Sequence, residues 1–458
     1  MLFSLFTVGC GGDNARISEL ENLDMVSGRM EITNLKYLKD PSEAEKAMLK
    51  RKNISSLKLT WSSNQTKEET VSDVEQDQAV LNALEPPSQI KNLKICGYRG
   101  SKLPCWMTKL NDSSFCARIV FKQASLCQFL SPTRMTLEEF PNLKYIRGLL
   151  EFRSLKSLSL VKMANLEELW TTTSSFEIQG EESEAQYCFP VLSEIRITGC
   201  PKLNVKPYFP PSLVTLSFEE SNEQLISLCG FSHPLPPPAD ESSSSCNLQS
   251  AVPRLKELRV RKMMGSSSSW ELLQNHTELE TLHIEYCNDL KQLPDNIRNL
   301  TSLRALCITG CQNLTMLPEW LGELRSLQFL FVFMTPMIDS LPQSTKHLTS
   351  LTSLQICRWD KMKELPDVIQ HLTSLEVINL GLCGALTILP EWIGQLSALR
   401  TLKIQHCPAL QCLPQSLQQL TALRELHISF SPGLARCYKQ GVGPDWQLVS
   451  HIPNVRIN

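Results

Sequence analysis

The chain has 458 residues, enough for several ordinary domains or for one repeat array that lengthens by adding turns. Its 45 Lys and Arg nearly balance 47 Asp and Glu, which leaves no basic field for nucleic acid or an anionic membrane surface. Seventeen cysteines, with no CxxC pair, follow neither zinc-ligand nor disulfide-framework spacing and fit reduced thiols in a cytoplasmic protein with possible access to the nucleus.

The first ten residues, MLFSLFTVGC, form a short apolar run with no positive residue before it, so no signal peptide is expected and residues 1–27 read as a junction segment. Asp40 before Pro41 and Glu43 is an N-cap signal with proline at the first helical position, and it predicts a helix over SEAEKAMLKRK. The Lys50, Arg51 and Lys52 cluster reads as its solvated end.

From residue 28 to residue 278 short strand-like cores recur unevenly. They fall at Ile54–Leu59, Ile90–Ile95, Leu155–Leu160, Leu192–Ile197 and Leu255–Val260, each alternating apolar and polar residues as a half-buried strand does. Between them lie insertions at 171–186, 234–245 and 266–269, rich in Ser, Pro or acidic residues, which read as surface loops. Between Leu110 and Leu137 the rhythm is lost.

Over residues 279–437 the pattern becomes regular. Aligned on LxxLx[IL], the first leucines fall at Leu279, Leu303, Leu327, Leu351, Leu375, Leu399 and Leu423, each 24 residues after the last. TSLRALCITGCQNLTMLPEWLGEL gives way to TSLTSLQICRWDKMKELPDVIQHL one unit later, and this is a leucine-rich repeat. Alternation at Leu282 and Ile284, or Leu402 and Ile404, marks a short strand with one buried face, and such strands stack in parallel. Cys287, Cys311, Cys383 and Cys407 recur three residues on, where a small side chain fits inside the turn beside unpaired backbone groups. Leu-Pro pairs from Pro294 to Pro414 then start a short convex helix, whose inward face is carried by pairs such as Ile297 with Leu300.

The expected fold is therefore α/β: a leucine-rich-repeat solenoid curved as a horseshoe, with a parallel sheet on the concave face and short helices and loops on the convex face. Residues 438–458 read as a closing segment. No HExxH, GxSxG or cysteine-histidine constellation occurs, so catalytic, cofactor and metal sites are all expected to be absent and the protein is expected not to be an enzyme. The longest late apolar run, Phe329 to Met334, is far shorter than the roughly 20 residues that span a bilayer, so no membrane anchor is expected.

Binding has a candidate face instead. Strand residues between the buried leucines point into solvent, and the middle one of each repeat gives the column His283, Cys307, Phe331, Gln355, Asn379, Lys403 and His427. Phe329, Phe331 and Phe333 alternate with Leu330 and Val332, so one strand presents three phenylalanines, followed by Met334. Clustered exposed aromatics mark interaction sites. The candidate protein-binding set is Phe329, Phe331, Phe333, Met334, Arg358, His406 and Tyr286, with Arg358 and His406 as polar orienting groups.

ARISELENLDMVSGRMEITNLKYLKDPSEAEKAMLKRKNISSLKLTWS, LEPPSQIKNLKICGYRGSKLPCWM and the closing GPDWQLVSHIPNVRIN resemble the leucine-rich-repeat region of plant coiled-coil, nucleotide-binding, leucine-rich-repeat disease-resistance proteins, nearly end to end. The resemblance implies a sensor and autoinhibitory region acting in defence, with a pathogen effector, a guarded host protein or a nucleotide-binding receptor module as partner. The coiled coil and nucleotide-binding module that such a region follows are not in this sequence. No GxxxxGK[ST] loop occurs, since Gly9-Cys10-Gly11-Gly12 lacks the lysine and hydroxyl residue, and ATP binding is not expected. The alternatives are a stand-alone repeat scaffold, or a ubiquitin-ligase substrate receptor, which would need an adaptor-binding helical module.

Overall fold

A computed structural model describes the chain apart from residues 1–2, 10–15, 23–26, 62–70, 109–129, 148–151, 173–186, 207, 230–253, 264–269, 271–272 and 274. The loop assignments at 171–186, 234–245 and 266–269, the Gly11-Gly12 pair and most of the arrhythmic stretch after Leu110 therefore lie largely or wholly outside the described residues. Contacts divide the chain into two compact units, Met1–Pro253 and Arg254–Asn458.

In the first unit β1 (Phe3–Thr7), β2 (Ser27–Thr33), β3 (Asn53–Thr60), β4 (Asn92–Cys96) and β5 (Arg134–Glu138) pair in parallel, each with the next. The following strands alternate between two sheets. β6 (Tyr145–Ile146), β8 (Glu168–Trp170) and β10 (Asn204–Lys206) make a small parallel sheet of their own. β7 (Ser157–Val161), β9 (Glu194–Thr198) and β11 (Thr215–Glu219) continue the main sheet after β5. The predicted cores at Ile54, Ile90, Leu155 and Leu192 are β3, β4, β7 and β9. Strands β1, β2, β5, β11 and the small sheet carry no such prediction.

The helix signalled by Asp40 forms but is short. Its carboxylate accepts the Ser42 N–H at 2.9 Å with Pro41 behind it, and α1 spans only Pro41–Lys46. Met48, at φ 47°, turns the chain left-handed and ends it. Lys52 is then not a solvated end: it is buried, and its ammonium donates to the Leu20 carbonyl. A second helix, α2 (Val71–Ala83), holds the buried Asp77, whose carboxylate accepts two bonds from Arg99 at 2.7 and 3.1 Å. Burial pushes the Asp77 carboxyl up, against the pull of Arg99.

In the second unit β12 (Glu257–Arg261), β13 (Thr281–Glu285), β14 (Ala305–Thr309), β15 (Phe329–Phe333), β16 (Ser353–Cys357), β17 (Val377–Gly381), β18 (Thr401–Gln405) and β19 (Glu425–Ser429) form one parallel run. Every residue pairs with the one 24 positions on, from Glu257 with Thr281 to Thr401 with Glu425, so the register of the regular repeats already holds at β12. β20 (Asn454–Ile457) adds the last strand after α3 (Pro432–Cys437) and α4 (Trp446–Val449) lengthen the final connection. Second and fourth residues of β12 to β19, such as Leu282 with Ile284 and Leu330 with Val332, are fully buried. Each contributes about 1.5–3 kcal/mol of transfer free energy. The chain is a leucine-rich-repeat solenoid.

The segments after the Leu-Pro pairs are five-residue 3-10 turns rather than α-helices, from Asp295–Asn299 to Gln415–Gln419. Their prolines stand before the first turn residue in extended conformation, for example Pro318 at φ −75° and ψ 154°. Three residues per turn brings Ile297 and Leu300 onto one buried face.

Two of these turns read EW[LI]G and lock three successive repeats. Trp320 donates its indole N–H to Asp295 of the turn before at 2.9 Å, while Glu319 accepts the Gln343 and Ser344 N–H groups of the turn after at 3.2 and 2.9 Å. Gly322 lets Ser344 approach, because a Cβ there would lie 2.2 Å from the Ser344 carbonyl oxygen. Trp392, Glu391 and Gly394 repeat the arrangement against Asp367 and Ser416.

Candidate protein-binding face

Each strand from β12 to β19 is followed directly by a residue with positive φ: Lys262, Tyr286, Gly310, Met334, Arg358, Leu382, His406 and Phe430, at 48° to 69°. The left-handed turn aims its N–H at the next strand's last carbonyl. Tyr286 donates to Thr309 at 2.7 Å, Arg358 to Gly381 at 2.7 Å and His406 to Ser429 at 2.9 Å. Four predicted site residues, Tyr286, Met334, Arg358 and His406, thus share one column along the edge of the open face.

The three phenylalanines are where alternation puts them, on the open face of β15 and half-buried, over the buried Leu330 and Val332. Phe331 and Phe333 are stacked with centroids 5.9 Å apart and planes 9° from parallel, and Phe329 lies 6.4 Å from Phe331. Met334 comes directly after the strand, at positive φ. Register places Ala305, Cys307 and Thr309 on one side of the rings and Ser353, Gln355 and Cys357 on the other, so the aromatic ridge stands above small neighbours.

Other candidates do not join it. His406 lies three strands from Met334, about 14 Å at the usual strand spacing, and its ring is stacked on Phe430. Tyr286 is covered by the Arg261 guanidinium, 5.2 Å from its centroid, and its ring takes the room above Gly310. Cys307, expected in the exposed column, is only 8% exposed, because it sits between His283 and Phe331 in register. Burial pushes its thiol up to about 11. The column of positive φ also presents two residues that alternation alone does not single out, Leu382 at 42% exposure and Phe430 at 67%. Reading the residue directly after each strand at 24-residue spacing finds both.

Cys287, Cys311, Cys383 and Cys407 are fully buried inside the turns, with Sγ 3.3–3.9 Å from pairs of carbonyl oxygens such as those of Ile284 and Thr309 for Cys311. Burial pushes the Cys311 thiol up to about 12, which keeps it protonated and unreactive at neutral pH. Thr335, Trp359 and Ser431 fill the same place in other repeats.

Charge is distributed unevenly over the second unit's open face. On β12 and β13 it is self-paired: Arg259 meets Glu257 at 3.1 Å, Arg261 meets Glu285 at 3.8 Å, and His283 sits within 3.9 Å of both carboxylates. Burial, and then Arg259, hold the His283 imidazole below its ordinary range. In the first unit Lys58 meets Glu31 at 2.6 Å and Lys94 meets Glu138 at 2.7 Å. Among the described residues no group of three or more His, Cys, Asp or Glu could hold a metal ion, and no helix is long and apolar enough to cross a membrane.

Two family models agree with this architecture. A family model described as R13L1/DRL21 LRRs matches residues 17–163, and one described as a leucine-rich repeat region matches residues 258–383. The chain is similar to a putative disease resistance RPP13-like protein 1 from Arabidopsis thaliana, 27% identical over 62% of this chain and 29% of that one. It is also similar to disease resistance protein RGA2 from Solanum bulbocastanum, 27% identical over 62% of this chain and 25% of that one. The chain thus spans between a quarter and three tenths of the length of these relatives. A solved leucine-rich-repeat protein from Leptospira interrogans is 17% identical, covers 96% of this chain and 97% of its own, and superposes with a TM-score of 0.37.

Proposed function

We propose that this repeat protein, similar as it is to plant disease-resistance proteins, is a non-enzymatic protein-binding surface acting in defence within the cytoplasm. It recognises a pathogen effector or a guarded host protein, or restrains a nucleotide-binding receptor module by docking against it. The observation that carries the reading is the half-exposed stack of Phe329, Phe331 and Phe333, with Met334 beside it. Two or three rings standing above small neighbours desolvate readily against a partner and concentrate binding energy at one point. Arg358 is one strand away and adds a charged rim group, whereas His406 and Tyr286 serve other parts of the edge.

The test is co-expression with a nucleotide-binding module from a related receptor, read by pull-down, for the parent chain and for a Phe331→Ser/Phe333→Ser variant with unchanged circular dichroism. Association lost in the variant supports docking through the aromatic strand. Association retained by a folded variant removes the strand from the restraint surface. Failure of both proteins to associate removes the restraint role and favours the stand-alone scaffold.

A further inference from the structure

Across the open face from β14 to β18 no carboxylate is present. The outward residues are Ala305, Cys307, Thr309, the three phenylalanines, Ser353, Gln355, Cys357, Val377, Asn379, Gly381, Thr401, Lys403 and Gln405. The edge column over the same strands adds Gly310, Met334, Arg358, Leu382 and His406, again without an acid. Arg358 is exposed, and among the described residues no carboxylate lies within ion-pair distance of it. Lys403 has one, Glu425, at 3.9 Å on the strand beyond the window. On the near rim Glu376 is already held by Arg400 at 3.4 Å. On other strands several open-face charges pair internally, as Arg259 with Glu257 and Lys58 with Glu31 do. Here an apolar ridge and the unpaired Arg358 are left to a partner, with Lys403 held only at 3.9 Å by Glu425.

We infer that the occupant of this face is an acidic polypeptide segment that lies across the strands, an inference that rests on the protein-binding reading above. One apolar side chain packs on Phe331 and Phe333, and carboxylates reach Arg358 and Lys403. Arg358 is one strand from the ridge and Lys403 three, about 5 and 14 Å at the usual spacing, so the carboxylates fall within about four extended residues of the apolar anchor. The outward side chains on β16 and β17, Ser353, Gln355 and Cys357 then Val377, Asn379 and Gly381, are all smaller than the rings, so the ridge stands above the strands between it and Lys403. Complementary charge of this kind selects the partner and steers its approach more than it adds raw affinity.

The experiment is selection of a displayed random 12-residue peptide library on the full chain, followed by fluorescence anisotropy of the enriched peptides. The expected result is enrichment of peptides with an apolar residue and Asp or Glu within four positions. These should bind Arg358→Gln/Lys403→Gln roughly tenfold more weakly, and more weakly still in high salt. Enrichment of neutral or basic peptides, no enrichment, or undiminished binding to the double glutamine variant overturns the inference. The Phe331→Ser/Phe333→Ser variant separates the two readings: peptides that bind it undiminished yet depend on Arg358 and Lys403 sink the aromatic anchor, whereas peptides lost on it but indifferent to the cations sink only the acidic partner.

Discussion

The imidazole of His406 lies flat on the ring of Phe430, centroids 4.2 Å apart and planes 8° from parallel. The two residues are one repeat apart and both have positive φ, 53° and 50°. Their rings stack because the same backbone turn is made twice at neighbouring edge positions of the sheet.

That backbone turn gives a first prediction. His406→Gly should be neutral or mildly stabilising, while His406→Val should cost about 1–2 kcal/mol, because a β-branched residue is strained in the left-handed region. Urea unfolding of the two variants checks it. Equal midpoints would show that the turn is not fixed by this residue.

The EW[LI]G lock predicts a directional effect. Gly322→Ala places a methyl 2.2 Å from the Ser344 carbonyl oxygen and should destabilise by about 1–3 kcal/mol, the usual cost of overpacking. Hydrogen exchange should quicken first in the turn Gln343–His347, since a solenoid passes strain to its nearest neighbour. Gly384→Ala is the control: its Cβ meets nothing within 4 Å, and little change is expected.

Acid should weaken the small sheet of the first unit through Glu168. This carboxylate accepts from Lys206 at 2.8 Å, from the Trp170 indole at 3.0 Å and from Arg147. Those bonds, Lys206 foremost, bring it from 4.5 down to about 2. A depressed carboxylate contributes stability that is full above its unfolded value and lost as pH falls through the folded one. The stability difference between the parent chain and Glu168→Gln should therefore hold at pH 7 and shrink from about pH 4.5 toward pH 2. A difference that does not vary with pH would contradict the bonding described.

Thiol reactivity should sort by position. Cys105 and Cys412 are exposed, whereas Cys287, Cys311, Cys383 and Cys407 are buried inside the turns. Brief iodoacetamide treatment of the folded protein at pH 8, read by peptide mass spectrometry, should label the first two and spare the four. Labelling of Cys311 in the folded chain would show that its repeat opens.

The repeat was legible wherever one unit copies the next. Leucines at 24-residue spacing place β13 to β19 and their buried faces, because a strand's two-residue alternation and a fixed turn leave one register. Less was legible where tertiary context decides. β1 and β11 lack the clean leucine frame, and α1 stops at Lys46 because of a backbone turn at Met48 that residue type does not announce. At the candidate face alternation located the three phenylalanines, but it treated Cys307 as exposed because spacing says nothing about the bulk of its neighbours. Residue type alone groups His406 with the phenylalanines, although the strands that separate them set the distance, and alternation does not single out Phe430, which stands on the same edge.

The edge column carries a further consequence for how its surface can diversify. Its described members in the second unit are Lys, Tyr, Gly, Met, Arg, Leu, His and Phe. None is valine, isoleucine or threonine, in keeping with the steric bar on Cβ branching at positive φ. This margin of the molecule can therefore change charge, length and aromaticity from turn to turn, but its vocabulary is confined to side chains that branch, if at all, beyond the β carbon. A partner meets there a row of mostly long side chains whose size and charge change from repeat to repeat while the backbone turn beneath them stays the same.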